Sequence, residues 1–360
     1  MDLRKLADRV LSGKRLTDEE GLSLLRVTGR DIWRVAAAAD RVREARVGDT
    51  VTYVRNQNIN VTNLCVNACG FCGFSRKPGN PDVFFHDRET IVAKAAEAKQ
   101  RGVTEICTVS GLHPDFDVES YADIYRWLGE GAPGVHIHAS NPMEVAYAAR
   151  KSGITTREAL RIMKGAGLSS LCGTAAEILV DEVRKVICPQ KVSTAEWVRI
   201  IREAHALGIP STATIMYGHC DSEEDRIRHF SIIREIQDDT GGFTEFVPLS
   251  FIHRETPLFR AGKARAGATG REDLLLFAVA RLYLDNISHL QSSWVKLGTK
   301  LAQLGLLAGA DDLGGTVFEE SISRGAGARD TDYLDPAEMQ RMAEDLGRTL
   351  RQRTTLYRQV

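Results

Sequence analysis

Three cysteines carry the clearest chemistry in this chain: Cys65, Cys69 and Cys72, spaced C-x3-C-x2-C within 56–82, NQNINVTNLCVNACGFCGFSRKPGNPD. Phe71 directly precedes the third, and an alternating strand-like run, Ile59, Val61 and then Leu64, leads into the first. Three thiolates on one short loop can hold three corners of a cubic iron–sulfur cluster. Four cysteine ligands close a cluster and suit electron transfer, whereas three leave one iron open to a small molecule. That is the arrangement by which a [4Fe-4S] cluster can reduce S-adenosyl-L-methionine (SAM), a cofactor of radical chemistry. Two plainer readings compete. C-x-x-C alone also occurs in zinc sites and thiol oxidoreductases. Structural zinc takes four ligands; the nearest fourth candidate is His86, and no second C-x-x-C or H-x3-H pair follows. A thiol-oxidoreductase reading leaves Cys65 without a role.

Such a loop needs a rigid frame. From Val51 the pattern alternates strands with helices, which argues for a parallel sheet. Eight strand candidates fall at 58–62, 105–109, 135–138, 169–172, 211–216, 244–248, 286–291 and 309–312. Helical stretches are read at 91–101, 121–128, 159–165, 175–186, 194–207, 223–239, 271–284 and 295–307. The fold class is α/β, a (β/α)8 TIM-type barrel. The expected organisation is a helical N-terminal extension (1–50), the barrel (51–328) and a C-terminal helical tail packed on it (329–360). Thr17 and Glu20 form a capping box opening a helix at Asp18. Asp335, Pro336 and Glu338 open a tail helix with an apolar stripe of Met339, Met342, Leu346 and Leu350. The ending RTTLYRQV covers one end of the barrel.

In such barrels chemistry sits at the carboxyl ends of the strands. The cluster loop follows the first strand, and Ser110-Gly111-Leu112-His113 the second. His136 and His138 end the third, and Gly173 to Glu177 follow the fourth. Tyr217-Gly218-His219 follow the fifth, and Glu245 lies on the sixth. His113, His138, Tyr217, His219 and Glu245 are therefore candidates for the substrate pocket. His136 and His138 are assigned to opposite faces of their strand, with one directed inward. Arg184 and Lys185 are read as solvent-facing on a surface helix, and Arg324 as a candidate anion ligand among glycines.

Composition narrows the class. The chain has 360 residues, 43% of them hydrophobic, enough for a large core. Lys+Arg is 47 against Asp+Glu 48, so no basic excess calls for nucleic acid or an anionic membrane. No run approaches the ~20 apolar residues of a membrane helix, and a cytoplasmic protein is expected. Seven cysteines, an odd number, fit that compartment better than a disulfide framework. Cys107, Cys172, Cys188 and Cys220 lie in or beside apolar runs, and most of them read as buried free thiols, with a site-facing role as the lesser alternative for Cys107 and Cys172 on their strands.

The C-x3-C-x-aromatic-C pattern after a first strand resembles the radical SAM superfamily. GLHPDFD (111–117), HIHASNPME (136–144), GTAAEILVDEVR (173–184), CPQKVSTAEW (188–197), AHALGIPSTATIMYGH (204–219), GGFTEFVPLSFIHRETPL (241–258), SSWVKLG (292–298), DDLGGTVFEESISRGAGA (311–328) and RTTLY (353–357) extend the likeness over nearly the whole chain. They are similar to one subgroup: the tyrosine-using subunit of FO synthase (CofH), aminofutalosine synthase and dehypoxanthine futalosine cyclase. GTAAEIL, EFVPLSFIH-x3-TPL and DDLGGT look most like the first.

The resemblance implies SAM bound near Phe71, Ser110, Gly111 and Glu177. Gly111 either permits close approach to the cofactor or simply makes a turn. Glu177 either accepts from the cofactor's ribose or amino group or places charge at a helix N-terminus. The resemblance further implies that L-tyrosine yields a 4-hydroxybenzyl radical that joins 5-amino-6-(D-ribitylamino)uracil in FO (coenzyme F420) biosynthesis. An external one-electron donor such as ferredoxin or flavodoxin and a companion FO synthase subunit are implied partners. An aminofutalosine synthase-like enzyme of menaquinone biosynthesis, a paralogue with a different acceptor, and a zinc- or cluster-bearing structural protein are the alternatives. Two departures matter. Val109-Ser110-Gly111 stands where the relatives read Gln-Gly-Gly, and Cys220-Asp221 where they read Val-Glu.

Overall fold

The computed structural model describes residues 2–329 and 332–360. Among the described residues there are nine strands: β1 Thr50–Val54, β2 Asn56–Asn58, β3 Glu105–Thr108, β4 His136–Ala139, β5 Ser170–Leu171, β6 Ser211–Tyr217, β7 Phe243–Ser250, β8 Asp312–Gly315 and β9 Thr349–Arg353. β2 to β7 form a parallel sheet in chain order. Beyond β7 the wall continues through single bridges, Phe246 to Leu290 and Gln291 to Asp312. β8 pairs in parallel with β1, and only Arg55 separates β1 from β2. The expected seventh strand is thus reduced to bridges. The Asp311 carboxylate takes the Leu290 N–H (2.8 Å) and His289 Nδ1 (2.7 Å), so a side chain ties down this stretch.

The first strand begins earlier than the expected 58–62, and β9 was not foreseen at all. β9 lies parallel to β1 from Thr50↔Thr349 to Val54↔Arg353. Its sequence, TLRQR, has no apolar alternation, and only Arg353 is buried. The chain end then enters the barrel floor, as described below.

Side-chain caps fix where the helices start. Asp87, Asp117, Asn141, Thr155, Ser193, Ser222 and Thr269 each accept from an N–H of the following first turn. The Thr17–Glu20 capping box is formed. Asp335 caps Pro336–Glu344, but Glu338 pairs with Arg341 rather than closing a box. Met339 and Met342 are buried in the core. Helix Pro142–Ser152 was not anticipated; Asn141 caps it and Pro142 opens it. The helix expected at 175–186 starts at Asp181 instead. Ala175 and Glu177, at φ 63° and 45°, hold the preceding loop in left-handed turns.

One hydrophobic core joins the barrel to the N-terminal helices Leu6–Leu11, Asp18–Leu25 and Asp31–Val47. Leu24, Val35 and Val42 share it with Ile227, Phe230 and Tyr283. Among the described residues, no helix is long and apolar enough to cross a membrane.

Candidate active site

The cysteine loop is held by backbone bonds to its neighbours. Cys65 N–H meets the Arg76 carbonyl (3.0 Å), Val66 N–H that of Leu112 (3.0 Å) and Gly111 N–H that of Thr62 (2.8 Å). Lys77 Nζ donates to the carbonyls of Cys65, Val66 and Asn67 at 3.0, 2.9 and 2.8 Å. Arg76 Nη1 gathers those of Gly73, Phe74 and Ser75. Two cations therefore organise the loop through its backbone carbonyls. Two glycines are required by close approach: a Cβ at Gly73 would lie 2.0 Å from the Gly325 carbonyl oxygen, and one at Gly111 2.3 Å from that of Leu64. Contact with the cluster loop itself accounts for Gly111.

All three cysteines are free and line one cavity of about 240 Å³. Among the described residues, no three His, Cys, Asp or Glu side chains converge on a single ion. The thiols border a volume rather than a point. Burial pushes the Cys69 thiol up to about 12, so metal binding must displace its proton.

The other walls come from the carboxyl ends of the strands. Ser110 and Gly111 follow β3, Asn141 and Glu144 follow β4, and Thr174 and Glu177 follow β5. Met216 ends β6, and Leu249 and Ser250 end β7. Phe71, Lys191 and Lys296 also line it. Glu177 pairs with Lys191 at 2.5 Å, and the ammonium stands 5.1 Å from the Phe71 ring centre. Burial opposes the Lys191 charge, yet Glu177 beside it holds its pKa above the ordinary value. Helix charge does not explain Glu177, because the helix starts four residues later.

Three buried polar atoms with no partner in the structure belong to residues of this wall: Asn67 Nδ2, Glu144 Oε2 and Thr174 Oγ1. Glu144 is 2% exposed, and its other oxygen receives one long bond, 3.4 Å, from Ser110 N–H. Burial pushes its pKa up to about 8. An unpaired buried polar group costs about 1–3 kcal/mol, so these atoms favour a guest with matching groups. Three thiols for iron, plus these donors and acceptors for an amine and hydroxyls, fit a [4Fe-4S] cluster carrying SAM. Asn67, Glu144, Thr174, Lys191 and Lys296 were not singled out from sequence. Glu144 and both lysines sit inside motifs quoted above, with no role assigned to them there.

The remaining sequence candidates lie elsewhere. His113 packs on Phe116 and Phe85, with Nδ1 accepting the Asp115 N–H (3.2 Å). Tyr217 donates to Asp273 (2.6 Å) on the helix layer, facing away from the cavity that its neighbour Met216 lines. His219 is buried, bonded to the Met216 carbonyl (3.0 Å) and the Cys220 N–H (2.8 Å). His138 and Glu245 point into the barrel, but at its floor. His136 and His138 do not face opposite sides: both rings meet Ser170 Oγ at 2.7 Å, since residues two apart on a strand share a face. Arg184 is buried, not solvated, and binds the carbonyls of Ala175, Ile178 and Val192. Arg324 pairs with Asp332 (2.6 Å) on the surface. Cys220 is exposed, contrary to expectation.

The two departures serve the local fold. Ser110 Oγ accepts the Val61 N–H (2.8 Å). Asp221 accepts the N–H groups of Gly218 and His219 and pairs with Arg226 (2.6 Å).

Floor contacts involve the chain end. Arg353 binds Asp312 and reaches Glu245 (3.4 Å). Tyr357 donates to Glu245 (2.8 Å) and stacks on His289 at 3.5 Å. Thr355 donates to Glu105 (2.7 Å).

Comparison with known proteins follows this geometry. Residues 59–233 match the family described as the radical SAM superfamily, and 240–360 the CofH/MqnC C-terminal region. A Methanoculleus marisnigri protein named 5-amino-6-(D-ribitylamino)uracil–L-tyrosine 4-hydroxyphenyl transferase is 73% identical over 99% of this chain and 97% of its own. The chain belongs to the CofH branch of the radical SAM superfamily. A Methanothermobacter thermautotrophicus relative of the same name is 50% identical over 96% of this chain and 94% of its own. A Mycobacterium leprae protein named FO synthase is 46% identical over 95% of this chain but only 40% of its own. Among solved structures, methylornithine synthase (PylB) superposes with TM-score 0.75 at 19% identity, covering 96% of this chain and 97% of its own. The hydrogenase maturase HydG gives 0.77 at 16%, covering 97% and 76%. At these identities the likeness speaks to the radical SAM fold alone. The superfamily uses a [4Fe-4S] cluster and SAM.

Proposed function

We infer that this protein is a radical SAM transferase that joins the 4-hydroxybenzyl group of L-tyrosine to 5-amino-6-(D-ribitylamino)uracil in FO biosynthesis. One observation carries the reading: near-full-length 73% identity with a relative of that name. When bound, the cluster and SAM supply a 5′-deoxyadenosyl radical. Cys65, Cys69 and Cys72 hold the iron. Phe71, Ser110 and Gly111 flank the methionine part of the cofactor, and Glu177 and Glu144 accept from its amino or ribose groups. Met216, Leu249, Phe251 and Ile252 form an apolar wall that keeps water from the reacting carbon. Of the five strand-end candidates, His138 and Glu245 face the barrel interior at its floor, where Ser170, Arg353 and Tyr357 already bond them, so they are assigned to closing that end rather than to substrate. His113, Tyr217 and His219 serve the fold through the contacts above.

A one-electron donor protein reduces the enzyme. A companion subunit acts with it; that reading draws on the Mycobacterium leprae FO synthase, in which this chain matches 40% of the length. The protein works in the cytoplasm. The test is anaerobic. Reconstituted protein, SAM, dithionite and L-tyrosine are incubated with and without the ribitylaminouracil. Tyrosine consumed to an adduct only with that acceptor present supports the reading; 5′-deoxyadenosine without an adduct rejects it.

A further inference from the structure

Two lysines reach the cavity, and they differ in one respect. Lys191 is neutralised by Glu177. Lys296 has no carboxylate within ion-pairing distance among the described residues; its Nζ contacts Ser323 Oγ at 2.5 Å. The neighbouring acid, Glu320, accepts instead from the backbone N–H groups of Ile322 and Ser323. Burial lowers the pKa of Lys296, and the more distant charges of Glu320 and Glu177 oppose that only in part. The lysine is rigidly placed. Trp294, two residues before it, donates its indole N–H to the Gly315 carbonyl (2.8 Å). Two residues after it, Gly298 (φ 71°) breaks the helix, so Lys296 stands on a short anchored turn. A cation with no carboxylate paired to it and a hydroxyl beside it, on a cavity that also presents apolar Phe251, Ile252 and Ile322, is suited to a carboxylate.

We propose that Lys296 binds the α-carboxylate of the amino-acid substrate, with Ser323 as its neighbour, and so orients L-tyrosine in the cavity. This rests on the transferase reading above. SAM also carries a carboxylate, so the experiment must separate the two sources. L-Tyrosine and tyramine, which lacks the carboxylate, are titrated anaerobically into reconstituted enzyme saturated with SAM. Wild type is compared with K296M, K296Q and K296R, and SAM affinity is read separately from the electron paramagnetic resonance of the reduced cluster. Loss of one charged hydrogen bond predicts about 10- to 100-fold weaker tyrosine binding in K296M and K296Q. Tyramine and SAM binding stay at wild-type values, and K296R recovers part of the loss. Melting curves identify a variant that has not folded, and the other neutral variant then decides. An unchanged tyrosine-to-tyramine preference in the folded neutral variants overturns the proposal. So does a fall in SAM affinity with tyrosine preference intact, which assigns the lysine to the cofactor. A wild type that binds SAM but not L-tyrosine rejects the substrate reading itself, and this proposal with it.

Discussion

The mouth and the floor of the barrel are both rich in polar side chains, yet they treat them oppositely. At the floor, Glu105, Glu245 and Asp312 all have partners, supplied largely by Arg353, Thr355 and Tyr357 of the chain end. At the mouth, Asn67 Nδ2, Glu144 Oε2 and Thr174 Oγ1 are left without partners, and three thiols stand free. Buried polar groups are normally satisfied. A fold that completes one network and leaves the other open has closed one end and reserved the other for a guest. Strand polarity agrees, because barrel chemistry belongs at the carboxyl ends.

Substitutions at the two ends test that contrast. The largest effect is expected from Cys65→Ala, Cys69→Ala or Cys72→Ala. Each should reduce 5′-deoxyadenosine formation to background with little change in melting temperature. Full SAM cleavage in any one of them would remove that thiol from the iron ligands.

Next comes Arg353→Met at the floor. Removing the partner of buried carboxylates costs about 3–5 kcal/mol, read as a shifted denaturant midpoint. A loss below about 1 kcal/mol would mean that the floor is as open to water as the mouth.

At the mouth, Glu144→Gln should weaken SAM binding about 10-fold while leaving the fold intact. It also carries a pH signature. With its folded pKa raised to about 8 against about 4.3 unfolded, Glu144 holds a proton in the folded state that the unfolded chain has released. Stability therefore falls as pH rises through that window and levels off above it. Wild-type apoprotein should lose stability relative to E144Q between about pH 5 and 8. A constant difference across that range would contradict the buried, unpaired placement. The smallest effect is Tyr357→Phe, which deletes one hydrogen bond to Glu245 and should cost about 1 kcal/mol in the same unfolding assay, with SAM affinity unchanged.

Legibility followed distance along the chain. The three cysteines and Phe71 could be read because one loop supplies them, and Gly111 because it opens the motif GLHPDFD after the next strand. Glu144, Thr174, Lys191 and Lys296 could not, because each comes from a different segment; Asn67 sits within the cysteine loop, but nothing local shows that its amide is left unpartnered. Position at a strand end did not reveal direction. Tyr217 and Met216 are adjacent, yet only Met216 faces the cavity, and the same pleat puts His136 and His138 together. β9 escaped notice because a strand such as TLRQR, with mostly exposed side chains, lacks the alternation that marks a half-buried one.

The amino-acid order alone determined the thiol spacing, the strand–helix rhythm and most of the helix starts, since each depends on residues within a turn or two of one another. Which polar groups remain unmatched was decided only when β3 to β7 aligned their ends and the chain terminus filled the opposite opening. Burial and partnership are properties of a packed surround, and Glu144 and Glu245 are the same residue until that surround gives one a tyrosine and an arginine and leaves the other facing a cavity.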